Sequence, residues 1–109
     1  MKNATAFEYW ETRDARHGGV ILGANENSLR VRSLADIRIG EEFGINIFFS
    51  FGSGFDRIEI LTRIIGKDLG CEEGWEVYEY KLEFIGISES DLDKLRDFLR
   101  IRQPKSAYS

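Results

Sequence analysis

The chain has 109 residues, of which 42% are hydrophobic and 31% charged, a balance typical of one globular domain with a single core. The formal net charge of −4 gives no overall basic character that would attract DNA, RNA or an anionic membrane. The single cysteine excludes an internal disulfide and a four-thiolate zinc site. Because no segment has the apolar length of a signal peptide or a membrane span, the sequence predicts a soluble cytoplasmic protein without membrane insertion.

Residues 1–17 mix apolar and charged side chains. Phe7, Tyr9 and Trp10 are too apolar for a free tail, and apolar patches on small soluble domains often mark interfaces. We therefore expect a partly ordered segment, either docked on the domain or held by a partner chain. Contact of Phe7, Tyr9 and Trp10 with a protein partner or a second copy is one prediction, and capping of the chain's own core is the alternative.

Five downstream segments have the pattern of strands. The first, Val20–Leu22, is a short apolar run. The others have the period-two alternation of half-buried strands, and they are Ser28–Ser33, Phe43–Phe51, Asp56–Gly66 and Trp75–Ile85. Asn25–Asn27 supply turn residues between the first two segments, and Lys67–Gly74 is predicted to be a polar loop. Five or six sequential strands with short connections favour an antiparallel meander that closes into a small barrel.

The hydrophobic period changes to that of a helix after the last strand. Ser88 precedes Asp91 by three residues, and apolar side chains then recur at helical spacing at Leu92, Leu95, Phe98 and Leu99. This pattern predicts a capped amphipathic helix. A tight link at Gly86–Ile87 precedes it, so we expect the helix to lie against the sheet or to plug one end of the barrel. Residues 102–109 are predicted to be a flexible tail.

The sequence predicts no catalytic site, metal site or cofactor. His17 is the only histidine and precedes two glycines, which indicates a surface turn. Cys71 precedes two glutamates, which disfavour a reactive thiolate. The glycines at 52 and 54 precede a strand, whereas a phosphate-binding glycine loop opens a helix.

Two segments resemble those of a known family. IRIGEEFGINIFF at residues 37–49 and FIGISESDLDKLRDFL at residues 84–99, together with the strand order, resemble a PilZ domain over residues 18–101. The resemblance implies a mainly β fold, namely a small, twisted, six-stranded antiparallel β-barrel of the split-barrel type with one C-terminal α-helix. It also implies a non-enzymatic role in bacterial cyclic di-GMP signalling.

The segments that bind the nucleotide in this family are altered here. Nucleotide-binding members carry an RxxxR segment and a D/NxSxxG motif at the first hairpin. Arg13 and Arg16 have RxxR spacing instead, and the hairpin GANENSLRV has Gly23, Asn25 and Ser28 at the three signature positions. Paired guanidiniums can chelate phosphates, and Asn25 and Ser28 retain hydrogen-bonding groups. With glycine at the acidic position, however, guanine loses a bidentate acceptor.

Three hypotheses follow. In the first, the domain is a regulatory or adaptor module that acts mainly through a protein partner or homodimer. In the second, it is a receptor that binds cyclic di-GMP directly through Arg13, Arg16, Asn25 and Ser28. In the third, it is a small barrel enzyme or an unrelated small barrel that binds a hydrophobic ligand, and a deep pocket with convergent polar groups would distinguish it.

Overall fold

The chain folds into a closed antiparallel barrel with one helix. A computed structural model describes residues 8–51 and 54–102. Its elements are β1 (Glu8–Thr12), β2 (Gly18–Ala24), β3 (Ser28–Ser33), β4 (Glu42–Phe51), β5 (Gly54–Glu72), β6 (Trp75–Ile87) and α1 (Glu89–Arg102). The strand order around the barrel is β1-β2-β3-β6-β5-β4. The predicted fold class, a mainly β six-stranded barrel with a C-terminal helix, is confirmed.

The first strand is part of the barrel wall. β1 pairs with β2 and with β4, so that Trp10 lies opposite both Gly19 and Ile47. The barrel therefore includes Glu8–Thr12, which belong to the predicted N-terminal segment. Glycine is required at position 19, because a Cβ atom there would lie 1.9 Å from the Arg32 carbonyl oxygen. The same carbonyl accepts a hydrogen bond from the Trp10 indole nitrogen at 3.2 Å.

Side chains fill the interior of the barrel. The bulky members of this core have almost no solvent exposure, and they include Trp10, Leu29, Ile45, Ile47, Ile58, Ile60, Ile64, Tyr80 and Leu82. They come from the five strands other than β2, and β2 contributes Ile21, which is 7% exposed. Such packing gives no support to the hypothesis of a hydrophobic ligand inside the barrel.

The helix covers one end of the barrel, as the amphipathic pattern predicts. Leu95 is 0% exposed, and the Phe98 ring lies 4.7 Å from that of Phe49. The Ser88 hydroxyl accepts a hydrogen bond from the Asp91 amide at 3.2 Å, which confirms the predicted N-cap. Asp91 also accepts a hydrogen bond from the Glu59 amide at 3.2 Å, so the first turn of α1 is attached to β5.

The hairpin of β5 and β6 is longer than predicted. The predicted polar loop at Lys67–Gly74 is wrong, because β5 continues to Glu72 and pairs with β6 from Ile60 to Glu72. Only Glu73 and Gly74 form the turn, with φ of 54° and 85°, as a two-residue hairpin turn of type I′ requires. β5 pairs with β4 only as far as Arg63, and β6 pairs with β3 only from Tyr78 onwards. We call the part that projects past both neighbouring strands, Ile65–Glu72 with Trp75–Val77, the overhang.

Candidate functional site

A cleft lies at the barrel end opposite α1. We call this the open end: β1 and β3 end there, and β2 and β4 begin there. The open-end cleft has a volume of about 890 Å³ and lies between the β1–β2 turn, the connector 34–41 and β5. It is lined by Thr12, Arg13, Asp14, Arg16, His17, Asp36, Ile37, Arg38, Glu41, Phe43, Gly44 and Lys67.

A buried threonine holds the β1–β2 turn together. Thr12 is 4% exposed, and its hydroxyl accepts hydrogen bonds from the Arg16 and His17 amides, both at 3.1 Å. The hydroxyl also lies 2.8 Å from Asp14 Oδ1, to which it donates. This hydrogen bond, followed by one from the Arg16 amide, holds the pKa of Asp14 below its ordinary 3.8. The turn therefore has a defined shape, from which Arg13 and Arg16 project as exposed side chains.

The connector is attached to the barrel by one buried hydroxyl. The Tyr80 hydroxyl accepts a hydrogen bond from the Ile37 amide at 2.7 Å and donates one to the Ala35 carbonyl. Burial raises the pKa of Tyr80. Beside it, Asp36 forms an ion pair with Lys67, and this hydrogen bond raises the pKa of the lysine. Asp36 and Arg38 are therefore fixed on one wall of the open-end cleft.

Three arginines line this cleft together with the carboxylates of Asp14, Asp36 and Glu41. Where the structure describes side chains, neither Arg13 nor Arg38 has an ion-pair partner, and Arg16 reaches only Asp14, at 3.9 Å. The Arg13 guanidinium lies over Gly44, where a Cβ atom would be 2.6 Å from Cζ, so glycine provides the space. Guanidiniums without carboxylate partners suit a phosphate or carboxylate ligand.

Arg38 and Lys67 were not predicted as site residues. Arg38 lies in a connector without a hydrophobic period, and Lys67 was assigned to a loop rather than to a strand that passes the open end. The position of Arg38 depends on the path of the connector across the open end, and that of Lys67 depends on the length of the β5–β6 hairpin. No local sequence signal contains that information.

The structure does not bring the four predicted nucleotide contacts together. Asn25 and Ser28 flank the β2–β3 turn at the helix-covered end, and the whole of β2 separates them from Arg16. Seven residues of strand span about 20 Å at the usual rise per residue. The arginines that share a cleft with Asn25 are Arg96 and Arg100 of α1.

Asn25 and Ser28 stabilise their own turn. Asn25 Oδ1 accepts hydrogen bonds from the Asn27 amide at 2.7 Å and from the Ser28 amide at 2.8 Å. The Ser28 hydroxyl also donates to this oxygen at 3.3 Å. This is the local bonding by which an asparagine forms a turn, and it uses the groups that were expected to contact guanine.

Two of the three predicted interface residues, Tyr9 and Trp10, lie within the described residues. Phe7 lies outside the described residues. Trp10 is 0% exposed in the barrel core, so its side chain has no surface on which a partner could bind. Tyr9 is half-buried, and its ring lies 5.5 Å from that of Phe48 on the neighbouring strand. Trp10 therefore matches the core-capping alternative, which the same sequence pattern allowed.

Exposed apolar side chains are concentrated near the open end. Leu34 is 68% exposed, Leu69 65% and Trp75 71%, and Ile39 and Ile65 are also exposed. Leu34 and Ile39 belong to the connector, whereas the other three belong to the overhang. This end of the molecule thus carries the arginine-lined cleft and five of the seven large apolar side chains that are exposed among the described residues.

Within residues 8–51 and 54–102, no cluster of three or more His, Cys, Asp or Glu side chains is arranged to hold a metal ion. The same residues include no helix with the length and apolar character needed to cross a membrane. Comparison with protein-family models, curated proteins and solved structures gives no match.

Proposed function

We propose that this chain is a non-enzymatic, PilZ-like regulatory or adaptor domain of bacterial cyclic di-GMP signalling, located in the cytoplasm and acting mainly through protein–protein contact. The resemblance of residues 18–101 to PilZ domains supports the signalling context. The observation that carries the proposal is the separation of Arg13 and Arg16 from Asn25 and Ser28 by the length of β2. A single nucleotide that binds at one end of the barrel cannot also contact the residues at the other end.

The exposed apolar side chains support the protein contact. Leu34, Leu69 and Trp75 are each at least 65% exposed, and large exposed apolar side chains near one another are typical of interaction surfaces. They lie beside the open-end cleft rather than beside the altered hairpin motif. The connector therefore has charged side chains, Asp36 and Arg38, in the cleft and exposed apolar side chains, Leu34 and Ile39, beside it. Protein interfaces also combine charged and apolar side chains.

Calorimetric titration with cyclic di-GMP tests the proposal. We expect no binding in the micromolar range by the wild-type protein. Arg13→Ala removes a cleft arginine, and Arg30→Ala is a matched control because Arg30 is an exposed arginine on β3, outside the open-end cleft. Micromolar binding that Arg13→Ala abolishes and Arg30→Ala preserves would overturn the preference for protein contact.

A second candidate function is favoured by the open-end cleft itself. Arg13, Arg16 and Arg38 line one cleft of about 890 Å³, which is within the usual size range of small-molecule sites. In this version the domain is a cyclic di-GMP receptor that binds the phosphates at the open end without Asn25 and Ser28. Arg38→Ala would then weaken binding as strongly as Arg13→Ala, whereas Asn25→Ala would leave the affinity unchanged.

A further inference from the structure

The overhang exposes an unpaired strand edge. β4 pairs with β5 only up to Arg63, and the Gly40 and Glu41 backbone then hydrogen-bonds to Ile64. From Ile65 to Glu72, no strand in the described ranges covers the outer edge of β5. Proteins usually cover or interrupt such an edge, because its free amide and carbonyl groups can pair with another strand. β5 also lacks a described strand partner on its β6 side from Gly54 to Glu59, but there α1 contacts the edge, because Asp91 accepts a hydrogen bond from the Glu59 amide and Lys94 donates one to the Arg57 carbonyl.

Exposed apolar side chains flank this edge along its length. Ile39 and Ile65 lie at the base of the overhang, with 57% and 43% exposure. Leu69 lies midway, and Trp75 lies at the tip beside the turn. Four of the large apolar side chains exposed in the described part of the chain therefore surround one unpaired strand.

We infer that a second copy of this chain pairs with the edge, antiparallel, about a two-fold axis that passes through Leu69. A two-fold axis perpendicular to a sheet places one residue opposite its own symmetry mate. With Leu69 at the centre, Gly66–Glu72 of one copy pairs with the same segment of the other. The two barrels become joined through a continuous sheet, by the strand addition that proteins use to recognise extended segments.

Charge disfavours three of the neighbouring registers. An axis at Lys67 or Asp68 would place two like charges directly opposite each other, which destabilises a strand pair. An axis at Gly70 would place Asp68 opposite Glu72. With the axis at Leu69, Asp68 lies opposite Gly70 and Lys67 lies opposite position 71, so the two copies have no like charges directly opposed.

The same register brings apolar surfaces together. Antiparallel pairing places the tip of each overhang beside the base of the other. Trp75 of one copy then lies near Ile65 and Ile39 of its mate, and this happens twice because of the symmetry. The Leu69 pair lies on one face of the joined sheet, because Leu69 is paired with Tyr78, and the Trp75 contacts lie on the other face, because Trp75 is paired with Glu72.

Sedimentation velocity tests the dimer on the intact chain. We expect the wild-type protein to shift from monomer to dimer over about a hundredfold range of concentration, because a dimer's population depends on protomer concentration. Leu69→Glu places two carboxylates opposite each other and should raise the dissociation constant at least about tenfold. Leu61→Glu is the matched control, since Leu61 is an exposed leucine of the same strand that lies outside the overhang, where β5 has strand partners on both sides.

Disulfide cross-linking tests the register. In a Cys71→Ser background, Leu69→Cys should form a symmetric disulfide under mild oxidation, because directly opposed antiparallel residues have Cα atoms within disulfide range. Leu61→Cys in the same background should remain monomeric. A wild-type protein that stays monomeric throughout, a dimer that Leu69→Glu leaves intact, or equal cross-linking by both cysteines would overturn the inference. The inference does not depend on the proposed signalling function, and nucleotide titration does not affect its outcome.

Discussion

Removal of the Tyr80 hydroxyl is the sharpest test of how the open end is built. The Tyr80 hydroxyl bonds to the Ile37 amide at 2.7 Å and to the Ala35 carbonyl, and the phenol is 1% exposed. Tyr80→Phe keeps the ring and leaves both backbone groups without that partner. A net hydrogen bond contributes about 0.5–1.5 kcal/mol, and a buried group left unpaired adds a desolvation cost. We therefore expect a loss of about 2 kcal/mol in the free energy of unfolding.

Urea unfolding and amide hydrogen exchange measure this effect. The urea midpoint should fall with an unchanged slope, and the Ile37 amide should exchange faster than in the wild type because its acceptor is gone. Tyr78→Phe is the matched control: Tyr78 lies two residues away on the same strand, half-buried, and its ring is 6.2 Å from that of Tyr80. Equal stability of the Tyr80→Phe and Tyr78→Phe proteins, or unchanged exchange at Ile37, would refute the role given to the hydroxyl.

Three further predictions concern the helix and the β1–β2 turn. Ser88→Ala should lower the free energy of unfolding by about 1 kcal/mol through loss of the N-cap, whereas Ser90→Ala should change it little; equal effects in urea unfolding would contradict the capping role. Phe98→Ala should cost about 3–5 kcal/mol because it empties the contact between the helix and the barrel, and a cost similar to that of Ser90→Ala would show that the helix does not cover the core. Thr12→Val should raise the pKa of Asp14 towards 3.8, measured by NMR titration. Because the folded pKa is lowered, the stability that Asp14 contributes is present above pH 3.8 and is lost as pH falls through the lower folded value. The stability difference between wild type and Asp14→Asn should shrink over that range, and a constant difference would contradict the assignment.

The fold could be predicted from the sequence because its strands and helix have regular periods. The alternation at Phe43–Phe51 and at Trp75–Ile85 matches β4 and β6 closely, and the Ser88 cap marks the start of α1 to within one residue. The β5 extension was missed because Lys67, Asp68 and the nearby glycines have low strand propensity. Pairing with the aromatic strand β6 outweighs that local preference.

The candidate site was less predictable, because it depends on which end of the barrel each turn reaches. Arg13 and Asn25 are near each other in the sequence, but β2 runs from one end of the barrel to the other between them. Trp10 was ambiguous for a similar reason: an apolar residue among charged ones can be a buried residue of an edge segment or an exposed contact. Only the pairing of β1 with both β2 and β4 decides between these environments.

An NMR titration of the labelled protein with cyclic di-GMP tests the central claim most directly, because it reports on both ends of the barrel at once. Our account predicts that the Asn25 and Ser28 amides do not shift, whether or not weak binding perturbs the turn from Arg13 to His17. Simultaneous, saturable shifts at Arg13 and at Asn25, with one shared dissociation constant, would contradict the separation on which the proposed function depends.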